Sequence, residues 1–277
     1  MHQVRGQRPS PSARGRIGKV VLGTLCSLAA VPLTLSAGTV DAAAIAPAAY
    51  VSVQPCRLAD TRLGFPHLDA QTLQIGTRGV CGIPSNATSV ALTLTVVDPH
   101  GPGFLTAWPA DRARPVVSNV NYVANRAVPN LATVRLSGSG SVCIYSERTA
   151  HVIVDVFGAY APTGAQFVPV SPSRIFDTRA GAPIGKGEVR RFTVAGAGGV
   201  PANATAVVLN VAADQASAPG YLTVYPCGGT PPVVSNLNFA PGQALANLVQ
   251  VRLTAGDVCI AAESATHVFA DVAGYFV

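Results

Sequence analysis

The chain has 277 residues, 49% of them hydrophobic and only 12% charged, a composition that excludes a disordered chain and leaves ample material for buried cores. Its formal net charge of +6 is concentrated at the start: residues 1–44 carry five basic residues against Asp41, and the rest of the chain nets only +2. Beyond residue 44 the only lysine is Lys186 and the only adjacent basic pair is Arg190 and Arg191, so the basic face that a phosphate backbone selects is missing and nucleic-acid binding is not expected.

The chain opens with a polar, basic stretch over residues 1–19, followed by an uncharged and mostly apolar stretch from Val20 to Val40 and then Asp41-Ala42-Ala43-Ala44. That order is the three-part pattern of a secretory signal, with small residues where cleavage occurs. A membrane anchor is the alternative, since about 20 apolar residues can span a bilayer, but Pro32 and the interspersed Gly, Ser and Thr weaken it as a helix. We expect residues 1–44 to be removed, with the product starting between Ala43 and Ala48, no membrane span after cleavage, and Cys26 lost. Leu25 stands before Cys26 where a lipid-attachment signal resembling the bacterial lipobox needs Gly or Ala, so lipidation is not expected.

The remainder is one module written twice. Val116 to Leu136 (VVSNVNYVANRAVPNLATVRL) returns as Val233 to Leu253 (VVSNLNFAPGQALANLVQVRL), with eleven of 21 positions identical at an offset of 117. That period is too long for a solenoid, so each copy should own a core. The copies are placed at 48–160 and 166–277, joined by a linker at 161–165. In the second copy, strand signals fall over Glu188–Val194, Ala206–Val211, Gly220–Tyr225, Val233–Phe239, Leu248–Leu253, Asp257–Ala261 and Thr266–Val272. Each is a short β-branched or aromatic run between turn residues, and no long segment sustains a helical period. Seven or eight short strands in about 110 residues predict an all-β protein of two tandem β-sandwich domains, jelly-roll-like in organisation.

Several phrases recur in order: PxRxxDTR at Pro55–Arg62 and Pro172–Arg179, a Gly-x-Pro turn with Asn-Ala-Thr at Gly82–Thr88 and Gly199–Thr205, and GxLTxxP at Gly103–Pro109 and Gly220–Pro226. SNxN at Ser118–Asn121 and Ser235–Asn238, and DVxGYF at Asp271–Phe276, complete the set. On these motifs, residues 50–277 resemble a module common in exported and cell-surface proteins of actinobacteria. The resemblance implies an exported protein with tandem modules, and no activity to carry over. The first copy departs at its end, with Gly158-Ala159-Tyr160 where the second has Gly274-Tyr275-Phe276.

Four groups of residues bear on function. Ser118, His151 and Asp155, repeated as Ser235, His267 and Asp271, contain the residue types of a hydrolase triad. Residues four apart on a strand are roughly 13 Å apart, however, and no strained elbow presents the serine, so no catalytic residues are assigned. Asp60 with Arg62, and Asp177 with Arg179, combine a carboxylate with a guanidinium fork, the second fork coming from Arg57 or Arg174. They suit either carboxylate or sugar recognition or a self-paired turn. Asn119 and Asn121, like Asn236 and Asn238, share a strand face and suit either a polar groove for a glycan or the backbone of a bulge. Trp108 and Tyr225 are the aromatics available for sugar stacking. Asn86–Thr88 and Asn203–Thr205 match a glycosylation acceptor but are read as strand openings. One His per module at the last strand, with scattered Asp, gives no metal cluster, and no cofactor motif is present.

Five cysteines follow the leader, in a chain whose export allows disulfides. Cys56 and Cys81 align with Ser173 and Gly198, so the pair is jointly absent from the second copy. Cys259 aligns with Cys143, but Cys227 aligns with Ala110. The expected pairs are Cys56–Cys81 and Cys227–Cys259, with Cys143 a buried free thiol; a Cys143–Cys259 bridge between modules is the competing scheme. The functional reading is a secreted or cell-envelope binding or display protein, not an enzyme, recognising a cell-wall glycan or an envelope protein through Asp60, Arg62, Asn119, Asn121, Asp177, Arg179, Asn236 and Asn238. A purely structural envelope module is the second reading and a secreted serine hydrolase the third.

Overall fold

A computed structural model describes residues 47–64 and 67–277; the expected leader and Cys26 lie outside the described residues. Among the described residues no helix is long and apolar enough to cross a membrane.

The first half holds β1 (Ala49–Asp60), β2 (Gln71–Gly76), β3 (Ser89–Val97), β4 (Gly103–Pro109), β5 (Val120–Tyr122), β6 (Val128–Arg135), β7 (Ser141–Ser146) and β8 (His151–Ala161). They form two antiparallel four-stranded sheets, ordered β1-β8-β3-β6 and β2-β7-β4-β5. The second half repeats this with β9 (Phe167–Asp177), β10 (Val189–Thr193), β11 (Ala206–Asp214), β12 (Gly220–Pro226), β13 (Leu237–Phe239), β14 (Leu245–Arg252), β15 (Asp257–Ala262) and β16 (His267–Phe276), ordered β9-β16-β11-β14 and β10-β15-β12-β13. This strand order is the double Greek key of a jelly roll, and it answers the all-β, two-copy expectation.

Each half has its own core. Val90, Leu92, Leu94 and Val96 of β3 alternate inward against Leu105, Val142, Ile144, Val152 and Val154; Val207, Leu209 and Val211 of β11 meet Leu222, Val224, Ile260 and Val268. The period of two on β3 and β11 therefore does what a half-buried strand requires. The outer faces differ. On β8 the burial runs through both faces, whereas β16 alternates buried and half-buried residues along its length, because the second half lies over the outer face of the first. Tyr50, Ala91, Ala206, Val208 and Phe276 form the apolar seam between them, with Leu131 and Tyr160 packed alongside. Tyr50 stacks on Phe276 at 4.2 Å between ring centroids, and its hydroxyl donates to the Phe157 carbonyl at 3.0 Å.

Gly158 is what lets Tyr50 lie there: a Cβ on Gly158 would sit 2.3 Å from the Tyr50 ring. Gly274 does the same for Phe167, which gives the repeated glycine of the last strand a steric cause.

Of the residues read as a linker, Ala161 ends β8, and Ala165 exchanges both backbone hydrogen bonds with Tyr50 at 2.8 and 2.9 Å. The strand expected over Val233–Phe239 is regular only at Leu237–Phe239, because the Asn236 side chain takes over a backbone partner upstream. The first strand of each copy, β1 or β9, escaped the pattern reading. β9 contains Pro169 and Pro172 and pairs with β16 through two register shifts, and such bulges break the alternation that reveals a strand.

The cysteines bond as Cys56–Cys81 and Cys227–Cys259, with sequence separations of 25 and 32. Cys143 is a buried free thiol.

Candidate functional site

In both copies the PxRxxDTR phrase runs along the end of the first strand and into the turn after it. Asp60 accepts from Arg62 Nη2 at 2.6 Å, Arg62 Nε at 2.9 Å, the Arg62 backbone N–H at 3.1 Å and Arg57 Nη1 at 3.0 Å. Arg57 turns its other edge to Asp155 on β8, donating from Nε at 2.9 Å and Nη2 at 3.2 Å. The second copy repeats every bond: Arg179 and Arg174 hold Asp177, and Arg174 grips Asp271 at 2.8 and 3.1 Å. Bidentate charge-assisted bonds of this kind hold the Asp60 carboxyl below its usual range, the Arg62 side-chain bond being the largest cause, and Asp177 likewise through Arg179.

The two networks differ in what covers them. Asp155 is wholly buried and also accepts the Ser235 backbone N–H of the second half at 3.1 Å; burial raises its carboxyl despite the Arg57 bonds that oppose it. Asp271 stays partly exposed, and Arg174 and Arg179 there stack over the Phe269 ring at 4.2 and 4.3 Å.

The asparagines part company. Asn119 Oδ1 accepts the Ala107 N–H at 2.7 Å, and the Asn119 carbonyl accepts from Asn130 Nδ2 at 2.7 Å. Asn236 repeats this with Val224 and Asn247, at 2.7 and 2.6 Å. Both side-chain oxygens are thus spent on the backbone of the neighbouring strand, β4 or β12. Asn119 does not join Asn121, nor Asn236 Asn238, as a paired groove within one copy. Asn121 and Asn238 meet instead across the seam, lining one cleft of about 360 Å³ together with Tyr122, Arg126, Val128, Leu237 and Leu245. Asn238 also borders an adjoining hollow of about 220 Å³ with Arg57, Arg62, Tyr221, Val234 and Ser235. The expected site residues Arg62, Asn121 and Asn238 therefore gather at the junction of the two halves. Asp177 and Arg179 remain apart on the free face of the second half. A single copy read alone hides this junction, because its two walls come from different copies.

No triad assembles. His151 Nδ1 pairs with Thr61 Oγ1 at 3.1 Å, and that hydroxyl accepts the Val152 N–H at 2.9 Å. Asp155 is occupied by Arg57 and Ser235, and Ser118 is exposed. His267, Thr178 and Val268 repeat the arrangement. Burial, then the neighbouring His67, push the His151 imidazole below its usual value, so it sits neutral as a strand-end partner of Thr61. Trp108 and Tyr225 are 6% and 1% exposed and offer no face to a sugar. Tyr225 instead packs beside the Cys227–Cys259 bridge. Tyr221, 39% exposed, is the aromatic that the sequence reading passed over.

His67, Asp98 and His100, which the sequence analysis did not group, bring one ligand atom each within 4.8 Å of one another. The reading counted only the strand-end histidines, and two loops far apart in sequence supply the others.

No family model and no curated protein matches the chain. Among solved structures it is similar to the N-terminal CBM22-1-CBM22-2 tandem domain of Xyn10C from Paenibacillus barcinonensis, at 12% identity over 84% of this chain and 99% of that one, with a TM-score of 0.23. It is also similar to the STIV MCP, at 8% identity over 83% of this chain and 96% of that one, with a TM-score of 0.22. Both likenesses are too distant to assign a function.

Proposed function

We propose that this is an exported, non-catalytic binding protein of the cell envelope, with its ligand site in the cleft between the two jelly rolls. The observation that supports the reading is the convergence of Asn121 and Asn238, equivalent residues of the two copies, on one concave surface with a largely apolar floor. A cleft of this size with a few fixed polar groups is the usual form of a small-ligand site. Two amides offer paired donors and acceptors without charge, and Tyr221 in the neighbouring hollow supplies an aromatic face. That chemistry fits a hydroxyl-rich glycan of the cell wall better than a charged peptide. The disulfides fit an oxidising compartment.

A second reading, in which the modules serve only as structural parts of the envelope, draws support from the Asp60 network, whose donors are consumed within the protein. One experiment separates the two. Retention of the purified protein on isolated cell walls is measured for the wild type, for Asn121→Ala with Asn238→Ala, and for Arg62→Ala. We expect the double variant to lose retention with unchanged melting, and Arg62→Ala to melt lower. Undiminished retention in the double variant removes the cleft as the site.

A further inference from the structure

The geometry points to a divalent transition-metal site on the first jelly roll, formed by His67, Asp98 and His100, that the second jelly roll does not have. The three residues come from two loops. His67 precedes Leu68, which bridges to Ala150 beside β8, while Asp98 and His100 follow the end of β3. Pairing of β3 with β8 puts these loops side by side. Asp98 Oδ2 lies 3.9 Å from His67 Nε2 and 3.8 Å from His100 Nε2. Those are too long for hydrogen bonds, yet all three residues bring a ligand atom within 4.8 Å of one another.

His67 Nε2 is shut off from solvent and has no hydrogen-bond partner among the described residues. A buried imidazole nitrogen without a partner is costly to leave so. Its ring is held in place by stacking on His151 at 3.7 Å, and His151 is itself fixed through Nδ1 by Thr61. His151 is therefore a wall that orients the ligand ring, in the manner of the supporting residues around metal sites.

Two imidazoles and one carboxylate suit Zn²⁺ and its neighbours, whereas Ca²⁺ and Mg²⁺ ask for oxygen shells. Ligands about 2.0–2.1 Å from a tetrahedral zinc lie roughly 3.3 Å from each other, so binding requires both histidine nitrogens and the carboxylate to draw together from separations of up to 4.8 Å. His100 and Asp98 have side chains 55% and 59% exposed and are free to move. Three protein ligands leave a fourth position open, the pattern of an exchangeable rather than a purely structural ion.

The second jelly roll serves as an internal control. Ile184 bridges to Thr266 as Leu68 does to Ala150, and Ser217 donates to the Ala265 carbonyl as His100 does to that of Thr149. The equivalents of His67, Asp98 and His100 are thus Pro183, Gln215 and Ser217. Asp98 and Gln215 share a left-handed backbone, φ 48° and 51°. The loop framework is kept and all three ligands are replaced together. A loop shape alone would not link those three changes; a shared ion would.

The test is isothermal titration of untagged, chelator-stripped protein with ZnCl₂, followed by the absorption spectrum of the Co²⁺ form. We expect one ion per chain and a Co²⁺ spectrum of tetrahedral or five-coordinate type. His100→Ser, which installs the residue of the second copy at an exposed position, should weaken binding at least about tenfold, as should His67→Ala. Circular dichroism melts confirm that each variant is folded. No saturable binding, binding of equal strength in His100→Ser, or one ion per two chains with accompanying dimerisation overturns the assignment.

Discussion

Asp155 and Asp271 hold equivalent arginines from equivalent strands, yet one is sealed beneath the second jelly roll and the other meets solvent. Asp155→Ala takes the bidentate acceptor from Arg57 and leaves the buried Ser235 N–H without one, a loss of stability of about 1–3 kcal/mol. Asp271→Ala should do far less, and urea unfolding of the two variants makes the comparison within one molecule. Asp60 supplies the pH dependence. Its folded-state pKa is lowered, chiefly by Arg62, so its stabilisation is present above the unfolded value near 4 and is lost as pH falls through the lower folded value. Asp60→Asn should therefore be less stable than the wild type at pH 7 and converge with it as the pH falls below about 4. Asp155, raised by burial, works in the opposite sense and softens the acid limb.

At the scale of elements, the two disulfides close different structures. Cys227–Cys259 joins the end of β12 to its neighbour β15, and Cys56–Cys81 ties β1 to the turn that leads into β3. Loops of these lengths are worth roughly 3–4 kcal/mol each on the chain-entropy model. Replacing Cys56 and Cys81 by serine should lower the unfolding free energy by about that much, while Cys143→Ser should leave peptide maps under non-reducing conditions unchanged. The pairing could be read from the sequence because duplication showed Cys56 and Cys81 absent together from the second copy and Cys143 without a counterpart of Cys227 in the first. Strands such as β11, β12 and β15 were legible for a simpler reason, a short β-branched run between turn residues. β9 was not, since its prolines and bulges shift side chains from face to face. Asn119 and Asn121 show where face-counting fails: the strand is only three residues long and begins after Asn119, whose amide turns back to Ala107. The His67 cluster was illegible because residues 31 apart meet only through the β1-β8-β3 pairing.

At the scale of the whole molecule, Phe276 belongs to the core of neither half but to the seam, 2% exposed and stacked on Tyr50. Trp108 is the chain's one tryptophan and lies in the first half, so its fluorescence reports on that half alone. We expect its unfolding transition to coincide with that of circular dichroism, which sees both halves. Phe276→Ala should shift both transitions together, by the 3–5 kcal/mol typical of a buried Phe at about its upper range. A fluorescence transition that stays put while the dichroism moves means the halves unfold independently.

Ala49 pairs with Ala161, and that pairing sets an order in time. A chain delivered from its amino end at about 5–20 residues per second makes β1 wait roughly 6–20 s for β8. Once made, the Val- and Leu-rich β3 lacks its β8 neighbour until the same moment. Tyr50 waits longer still, until Phe276 emerges. A nascent chain stalled before Phe276 thus holds a first half in which Tyr50 still lacks its stacking partner.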